Sequence, residues 1–395
     1  MKTMLMVGGN FDAAGGRPSR IMTKIFNETL YRDDVQVDIY NGGFVDELRH
    51  NILPQAANYD IVLWGPNVPN TEEKVRNVKE INPKAILIST KRNNGEYDFG
   101  ELISRALAQK SNLVLEFSQD KTGEIPNGIY SMRVFDPLGN LFFSGTSIPI
   151  MTSILLNRTM ELTEFTRIGS SPADGKSPKV PNEKEFFAFA RSCSDIFHNL
   201  INPSAGTTRF LGNMSFRCQN GFPSFRGKDN TIYVSRRNVD KRFIDADSFV
   251  PTAMAEDGSV KYYGENKPSV DTPVQQRLYQ MFPQMNYMIH AHCYFDTPLK
   301  TEHPVPCGAI EEVDEIVKAV DNAYTLSDLK AAKFIAINLT GHGCLLMASD
   351  VKEFTRLMDE KDNHFVKRPA PEDFTESAYL AARQIDIENE ELCRD

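Results

Sequence analysis

Three histidines at two places in the sequence are the residues best suited to hold a metal ion. His290 and His292 stand two apart around Ala291, and His342 is flanked by two glycines. In an extended segment, residues two apart face the same way, so both imidazoles of the pair can reach one ion while Ala291 faces the opposite side. Three neutral imidazoles with one open coordination position are a common arrangement for catalytic zinc. The spacing therefore predicts a zinc site made by His290, His292 and His342.

The segments before these histidines favour strands, which suit the His-x-His spacing as a helix would not. Asn286-Tyr-Met-Ile precedes the pair, and Phe334-Ile-Ala-Ile-Asn-Leu precedes the turn Thr340-Gly-His-Gly. Both runs are apolar and rich in residues typical of strands. We therefore expect both sets of histidines at strand ends. An ordinary pair of strand histidines is the alternative if the third histidine lies elsewhere.

An ordered series of motifs surrounds the histidines. Gly212-Asn-Met-Ser-Phe-Arg is followed by Pro268-Ser-Val-Asp, a helical run that begins at Val274, the histidine pair and then His342. Over residues 185 to 360 this order resembles the class II aldolase/adducin family, whose pattern is Gly-Asn-x-Ser-x-Arg, Pro-Ser-Ser-Glu, a helix, His-x-His and a later single His. The matching positions are Gly212, Asn213, Ser215, Arg217, Pro268, Ser269, Asp271, His290, His292 and His342.

The resemblance implies a mixed sheet between helices, one zinc ion per chain and assembly as a homo-oligomer, usually a tetramer. Members act on sugar phosphates or related hydroxycarbonyl compounds, and many cleave or form a carbon–carbon bond through a metal-stabilised enediolate. We therefore expect a zinc-dependent lyase with a small anionic substrate. One alternative is an epimerase, dehydratase or decarboxylase with the same metal site. The other is a non-catalytic adducin-like binding or assembly protein, although the adducin branch has lost the histidines.

Asp271 stands where the resemblance places the catalytic glutamate of the family. Aspartate offers the same acid/base chemistry on a stem one methylene shorter, so the backbone or the substrate must lie closer. Asp271 is therefore the predicted catalytic residue. The alternative is that Asp271 caps the helix that begins at Thr272 or Pro273, because Asp before a Pro in the first turn is favoured.

The predicted substrate-binding residues are polar or basic and come from three motifs: Asn213, Ser215, Arg237, Asn238 and Ser269. Two positions depart from the family pattern, because Val270 replaces its second serine and Arg237-Asn238 replaces a small residue followed by glycine. Guanidinium groups can hold a phosphate or a carboxylate with two parallel hydrogen bonds, so an anionic substrate is still expected. The basic turn that also contains Arg236 and Lys241 could instead be a solvated surface.

A further proton donor is needed, and the sequence leaves its identity open. The candidates are Tyr294, Glu302, Glu311, Glu312 and Tyr379. His303 is a rival metal ligand, although a histidine before proline is more often an ordinary surface residue.

The N-terminal third alternates short apolar strands with helical stretches, which predicts a doubly wound parallel sheet of Rossmann or flavodoxin-like type. Ligands bind such sheets beyond the carboxyl ends of the strands. The first loop there, from Gly8 to Arg20, has several glycines, with Arg17, Ser19 and Arg20 at a helix start. The segments Gly65-Pro-Asn and Thr90-Lys-Arg-Asn would border the same crevice. A nucleotide or other anionic ligand could bind there, although the loop matches neither Gly-x-Gly-x-x-Gly nor the Gly-Lys-Ser/Thr ending of a P-loop. The alternative is a sheet used for docking.

Composition predicts two domains in 395 residues, with boundaries at 1–168 and 185–395. Residues 169–184 are rich in Pro, Ser and Gly, which indicates a linker. A hairpin is expected from Ile129 to Phe143, with its turn at Pro137-Leu-Gly-Asn.

The net charge of −9 disfavours general binding to nucleic acids or anionic membranes. No apolar run is long enough to span a bilayer, and the N-terminal residues do not resemble a signal peptide, so a cytoplasmic location is expected. The six cysteines lack paired spacing and are expected to be reduced.

Overall fold

The computed structural model describes residues 1–32, 34–68, 78–93, 99–118, 131–201, 210–217, 231–357 and 364–366. The chain divides into two compact units, of which the first contains Met1–Glu164 and the second spans Phe165–Arg368. Both units are built from a sheet and helices.

The described part of the first unit contains a seven-stranded sheet in the order β2-β1-β3-β4-β5-β6-β7. The first five strands are parallel, and β6 and β7 form an antiparallel hairpin at one edge. The strands are β1 (Lys2–Asp12), β2 (Val35–Phe44), β3 (Ile61–Trp64), β4 (Ile86–Asn93), β5 (Leu113–Ser118), β6 (Ser131–Phe135) and β7 (Leu141–Gly145). The longer helices are α1 (Arg20–Thr29), α2 (Phe99–Ala108) and α3 (Ile148–Glu164).

Helical turns between Val45 and Asn58 pack with Leu5, Val7 and Trp64 on one face of this sheet. On the other face, a Cβ atom added to Gly8 would lie 2.9 Å from the side chain of Met22 in α1. Helices therefore cover both faces, and the strand order is that of flavodoxin-like folds. The predicted doubly wound sheet is confirmed.

Three details of the first unit concern the sequence predictions. The predicted hairpin is present, with its turn at residues 136–140, although Ile129 and Tyr130 lie outside the described residues. The residues Thr90-Lys-Arg-Asn do not follow the fourth strand, as we expected, but form its last part. The sequence also predicts helical stretches between the strands, and residues 78–81 are helical.

The second unit contains, in its described part, an eight-stranded sheet in the order β15-β16-β13-β9-β10-β11-β12-β8. Neighbouring strands are antiparallel except β12 and β8. The strands are β8 (Ser170–Pro172), β9 (Asn213–Phe216), β10 (Ile232–Ser235), β11 (Phe249–Met254), β12 (Val260–Tyr262), β13 (Tyr287–Ala291), β14 (Tyr294–Phe295), β15 (Phe334–Leu339), β16 (Gly343–Ala348) and β17 (Phe365–Val366), of which β14 and β17 pair separately. The helices are α4 (Lys184–Ile201), α5 (Thr272–Met281), α6 (Glu312–Ala323), α7 (Leu326–Ala331) and α8 (Val351–Thr355), with short 3₁₀ turns at Lys241–Phe243 and Ala246–Ser248.

Part of the predicted linker belongs to this sheet. Ser170 to Pro172 form β8 and pair in parallel with β12. Proline cannot donate to a strand ladder, which explains why this short strand lies at the edge. Residues 173–183 contain no helix or strand before α4 begins at Lys184.

Two buried clusters cover the two faces of the second sheet. One joins α4 and α8 to residues such as Met214, Ile289 and Ala291. The other joins α5 and α6 to residues such as Val234 and Met288. The sheet therefore lies between two helical layers, and His290, which alternates with Ile289 and Ala291, faces α5 and α6. The predicted α/β/α architecture is confirmed.

Phe216 is at the centre of the aromatic part of the first cluster. It is fully buried, stacks on Tyr233 at 5.1 Å between ring centroids and meets Phe249 edge-on at 5.0 Å. We predict that Phe216→Ala lowers the free energy of unfolding by about 3–5 kcal/mol because it leaves a cavity that neighbouring rings cannot fill. The matched control is Phe243→Ala, whose ring is mostly exposed and which should change stability by about 0.5 kcal/mol or less. Chemical denaturation of both variants measures the difference, and equal effects would contradict this packing.

Candidate metal centre and adjoining pocket

Antiparallel pairing of β13 and β16 brings the three histidines together. His290 is the penultimate residue of β13, His292 follows that strand, and His342 directly precedes β16. The ring centroids are 5.0 Å apart for His290 and His292, 4.6 Å for His290 and His342, and 5.1 Å for His292 and His342. One nitrogen from each ring lies within 4.8 Å of the others. The three side chains are buried and could hold one divalent ion.

Two glycines allow the strands to approach closely at this point. A Cβ atom on Gly212 would lie 2.4 Å from the carbonyl oxygen of His290, and Gly212 has a φ of 76°, which other residues rarely adopt. A Cβ atom on Gly343 would lie 2.0 Å from the carbonyl oxygen of Ala291. Both glycines are therefore required by the backbone around the three histidines.

The hydrogen bond made by His290 determines which of its nitrogens can bind a metal. Its Nδ1 lies 3.0 Å from the carbonyl oxygen of Cys344, which can only accept, so Nδ1 carries the proton. Its Nε2 is buried and has no hydrogen-bond partner among the described residues. Burial, followed by the influence of His342, lowers the pKa of His290 to about 4, so this imidazole is neutral. A neutral nitrogen acceptor without a partner is what a zinc ligand requires.

His342 is held by a carboxylate and by the turn before it. Its Nδ1 lies 2.5 Å from Oε1 of Glu312, and both side chains are almost completely buried. Burial raises the pKa of Glu312, although His342 acts in the opposite direction. In the turn, the Gly341 amide donates to the Tyr294 hydroxyl at 3.0 Å. Glu312 and Tyr294, which we considered as proton donors, thus hold the third histidine.

Asp271 occupies the N-cap position of α5, but its side chain does not cap the helix. Its Oδ2 accepts a hydrogen bond from the amide of Asn213 at 2.6 Å, and its Oδ1 accepts one from the thiol of Cys307 at 3.2 Å. Asp271 therefore stands at the predicted cap position, but the predicted capping by its side chain is wrong. Sequence reasoning missed Cys307, because this residue belongs to none of the motifs. Burial raises the pKa of the Cys307 thiol well above its usual value, so the sulfur carries its proton and donates.

Three polar side chains of the Gly-Asn-x-Ser-x-Arg motif form hydrogen bonds that hold α5 against the sheet. The amide of Asn213 contacts the first turn at Asp271, and the hydroxyl of Ser215 lies 3.0 Å from the hydroxyl of Tyr279. The guanidinium of Arg217 donates to the carbonyl oxygen of Tyr279 at 3.3 Å, near the end of the helix. These three residues are two apart in the sequence and face the same way. Their side chains therefore contact α5 from its first turn to its last.

A pocket of about 130 Å³ adjoins the histidines. Its lining includes His292, Asp271 and three predicted substrate-binding residues: Arg237, Asn238 and Ser269. The described remainder of the lining consists of Phe210, Leu211, Gly212, Arg236, Val270 and Cys307. Asn213 and Ser215 are not part of it. Ser215 is fully buried behind α5, which argues against the substrate contact expected from the sequence, and Asn213 reaches the pocket only through Asp271.

The basic turn next to the pocket is only partly a surface feature. Asn238 has a φ of 61°, a left-handed conformation that explains why it can stand where the family has glycine. Lys241 points inward, and its ammonium donates to the carbonyl oxygens of Phe210 at 3.1 Å and Val239 at 3.3 Å. Burial lowers the pKa of Lys241 to about 8. Lys241 therefore fixes the pocket wall, while Arg237 lies at its exposed rim.

The remaining candidates lie elsewhere or make other contacts. Glu302 pairs with Lys318 at 2.5 Å on the surface, and His303 lies 3.1 Å from Glu315, also on the surface. Glu311 accepts a hydrogen bond from the amide of Thr166 at 2.8 Å. Tyr379 lies outside the described residues. None of the described candidates for the proton donor lines the pocket.

The first loop of the N-terminal unit is folded tightly upon itself. The amide of Asn10 donates to the carbonyl oxygen of Arg17 at 2.9 Å, and Asn41 accepts from the amide of Ser19 at 3.0 Å. Ser19 also caps α1. Arg17 and Arg20 are exposed. Binding of an anionic or nucleotide-like ligand at this loop stays a prediction.

Residues 198–364 match the sequence model of the Class II Aldolase and Adducin N-terminal domain. This part of the chain is therefore similar in sequence to the class II aldolase/adducin family. The match covers the three histidines and Asp271, and it agrees with the α/β/α architecture. No curated protein matches the chain, and none of the described helices combines the length and apolarity needed to cross a membrane.

Three solved structures are similar to parts of this chain. L-fuculose-1-phosphate aldolase from Thermus thermophilus is 17% identical, with a TM-score of 0.26, over 45% of this chain and 91% of its own. An aldolase II superfamily protein from Pseudomonas syringae is 13% identical, with a TM-score of 0.31, over 47% and 75% of the two chains. A DNA/pantothenate metabolism flavoprotein from Streptococcus pneumoniae is 12% identical, with a TM-score of 0.30, over 41% of this chain and 98% of its own.

The close approach of the strands around the histidines can be tested at Gly343. We predict that Gly343→Ala lowers the melting temperature and weakens zinc binding, because the added methyl group would force β16 away from Ala291. Gly169→Ala is the matched control, since a Cβ atom there would meet nothing within 4 Å. Thermal melts with and without zinc measure both effects. Equal behaviour of the two variants would contradict the described geometry.

Proposed function

We propose that this protein is a zinc-dependent lyase of the class II aldolase type, acting on a small anionic hydroxycarbonyl compound. The observation that supports it most strongly is a metal-binding arrangement of three histidines beside a pocket that contains a fixed carboxylate, Asp271. A binding protein of the adducin type would require neither. The family match supports a lyase-type fold without specifying the reaction.

The residues present fit zinc as the metal. His290, His292 and His342 would hold the ion, and the buried Nε2 of His290 provides an acceptor that makes no hydrogen bond within the described residues. When bound, zinc would polarise the carbonyl group of the substrate and stabilise the negative charge that develops on its oxygen. Three protein ligands leave a coordination position open for the substrate.

Asp271 would move the proton. An ionised carboxylate has about four lone-pair positions, so the donors Asn213, Cys307 and, at 3.5 Å, Ser269 leave one position for a substrate hydroxyl. These hydrogen bonds hold the carboxylate in one orientation at the pocket wall. The shorter stem of aspartate then places the reacting proton closer to the start of α5 than a glutamate would.

The pocket favours a small substrate with an anionic group. Arg237 and Asn238 provide donors at its rim and Ser269 provides a hydroxyl oxygen at its wall, whereas Val270, which is 42% exposed, provides an apolar surface. A guanidinium can bind a phosphate or a carboxylate equally well in geometric terms. We therefore propose a short hydroxycarbonyl phosphate or its carboxylate analogue. Assembly into a homo-oligomer stays a prediction.

The metal site is tested first by elemental mass spectrometry. We predict about one zinc per chain in the purified protein and a loss of most of it in His292→Ala, because two imidazoles bind the ion more weakly than three. His303→Ala is the matched control, since this exposed histidine pairs with Glu315 and should leave the zinc content unchanged. Absence of metal from the wild-type protein, even after zinc is supplied, would contradict the proposed function.

The proton-transfer role is tested with zinc-loaded Asp271 variants. We predict that Asp271→Asn retains zinc but loses about 10²–10⁴-fold in turnover, because the amide cannot accept the proton. Asp271→Glu restores the family residue and should retain part of the activity. Aldehyde or ketone release from a panel of hydroxycarbonyl phosphates and carboxylates provides the assay. Products of unchanged carbon number would instead identify an epimerase or a dehydratase, and loss of carbon dioxide a decarboxylase.

A further inference from the structure

The carboxylate of Glu312 is buried in contact with a metal ligand rather than with the pocket. Glu312 is the first residue of α6 and is 4% exposed. Its Oε1 lies 2.5 Å from Nδ1 of His342, and it is not among the described residues that line the pocket. A side chain in this position acts on the substrate only through His342.

This contact determines the orientation of His342. An ionised carboxylate can only accept a hydrogen bond, so Nδ1 must carry the proton and donate it. The other nitrogen, Nε2, is then the one able to bind a metal. His290 also carries its proton on Nδ1, but there Nδ1 donates to the uncharged carbonyl oxygen of Cys344. Of these two bonds, the one to Glu312 is therefore the one that adds a negative charge next to the ligand.

The charge of Glu312 is placed where it can increase affinity for a cation. Carboxylates are stabilised near the amino-terminal end of a helix, and α6 is a 12-residue helix with Glu312 in its first turn. Burial reduces screening by solvent, so attraction between this carboxylate and a nearby divalent ion is stronger than on the surface. A histidine that donates to a carboxylate is also a more basic ligand.

We propose that Glu312 is a positioning residue of the metal site, which directs Nε2 of His342 toward the ion and contributes a negative charge that strengthens binding of a divalent cation. This inference rests on the zinc site of the proposed function. It assigns to Glu312 a role in metal retention and none in proton transfer to the substrate.

Two substitutions separate the hydrogen bond from the charge. Glu312→Gln keeps an oxygen that can accept from Nδ1 but removes the charge, whereas Glu312→Ala removes both. Zinc dissociation constants, measured by competition with a chromophoric chelator, should rise about 10-fold for Glu312→Gln and up to about 100-fold for Glu312→Ala. The matched control is Glu311→Gln, because this neighbouring carboxylate bonds to the amide of Thr166, and its dissociation constant should change less than about twofold.

A spectroscopic measurement distinguishes positioning from a merely structural role. In zinc-loaded protein labelled with ¹⁵N-histidine, the His342 signals should show the proton on Nδ1 in the wild type and in Glu312→Gln. In Glu312→Ala the Nδ1–H signal should broaden or shift, while the signals of His290 remain.

The outcomes separate this inference from the proposed function. Tight zinc binding by the wild type together with unchanged affinity in both Glu312 variants would overturn the role of Glu312 and leave the zinc site intact. A wild-type protein that binds no zinc would overturn both. Because glutamine is nearly the same size as glutamate, Glu312→Gln keeps the test decisive even if Glu312→Ala fails to fold.

Discussion

The position of β13 between β9 and β16 is the constraint on which the candidate site depends. In this register His290 lies opposite Asn213 on one side and Leu345 on the other. The antiparallel arrangement places the end of β13 next to the start of both neighbours, so residues distant in the sequence meet at one edge. Gly212 and Gly343 permit this approach because a side chain at either position would collide with the β13 backbone. A change in register by one residue would turn His290 to the opposite face.

Two buried carboxylates serve different parts of the site. Burying a charge is costly unless hydrogen bonds compensate, and each carboxylate has such partners. Asp271 accepts from Asn213, Cys307 and Ser269 beside the pocket, whereas Glu312 accepts from His342 behind it. Both stand at the beginning of a helix, α5 or α6, and these two helices cover the face of the sheet that carries the histidines. The fold thus separates the proposed proton-transfer group from the carboxylate that holds His342.

The sequence predicted those parts of the site that follow from local periodicity. The spacing of two between His290 and His292 and the apolar runs before the histidines were sufficient to predict strands with these histidines at their ends. Residues that reach the site only through the tertiary fold were harder to predict from the sequence. Cys307 lies 36 residues from Asp271, in a loop without a motif. Glu312 was only one of several acidic candidates, because no periodicity reveals which carboxylate α6 turns toward His342. The prediction for Ser215 failed for a related reason. Alternation along the strand identifies the face on which Ser215 lies, but it does not show that α5 covers this side chain.

The most direct test of a zinc site at the three histidines is anomalous X-ray scattering from crystals of the zinc-loaded protein, measured on both sides of the zinc absorption edge. Our account predicts one strong anomalous peak per chain bounded by His290, His292 and His342, with zinc–nitrogen distances of about 2.0–2.1 Å. The ligand atoms of His290 and His342 should be Nε2. A peak bound by other residues, or no peak at these histidines after zinc is supplied, would contradict the account.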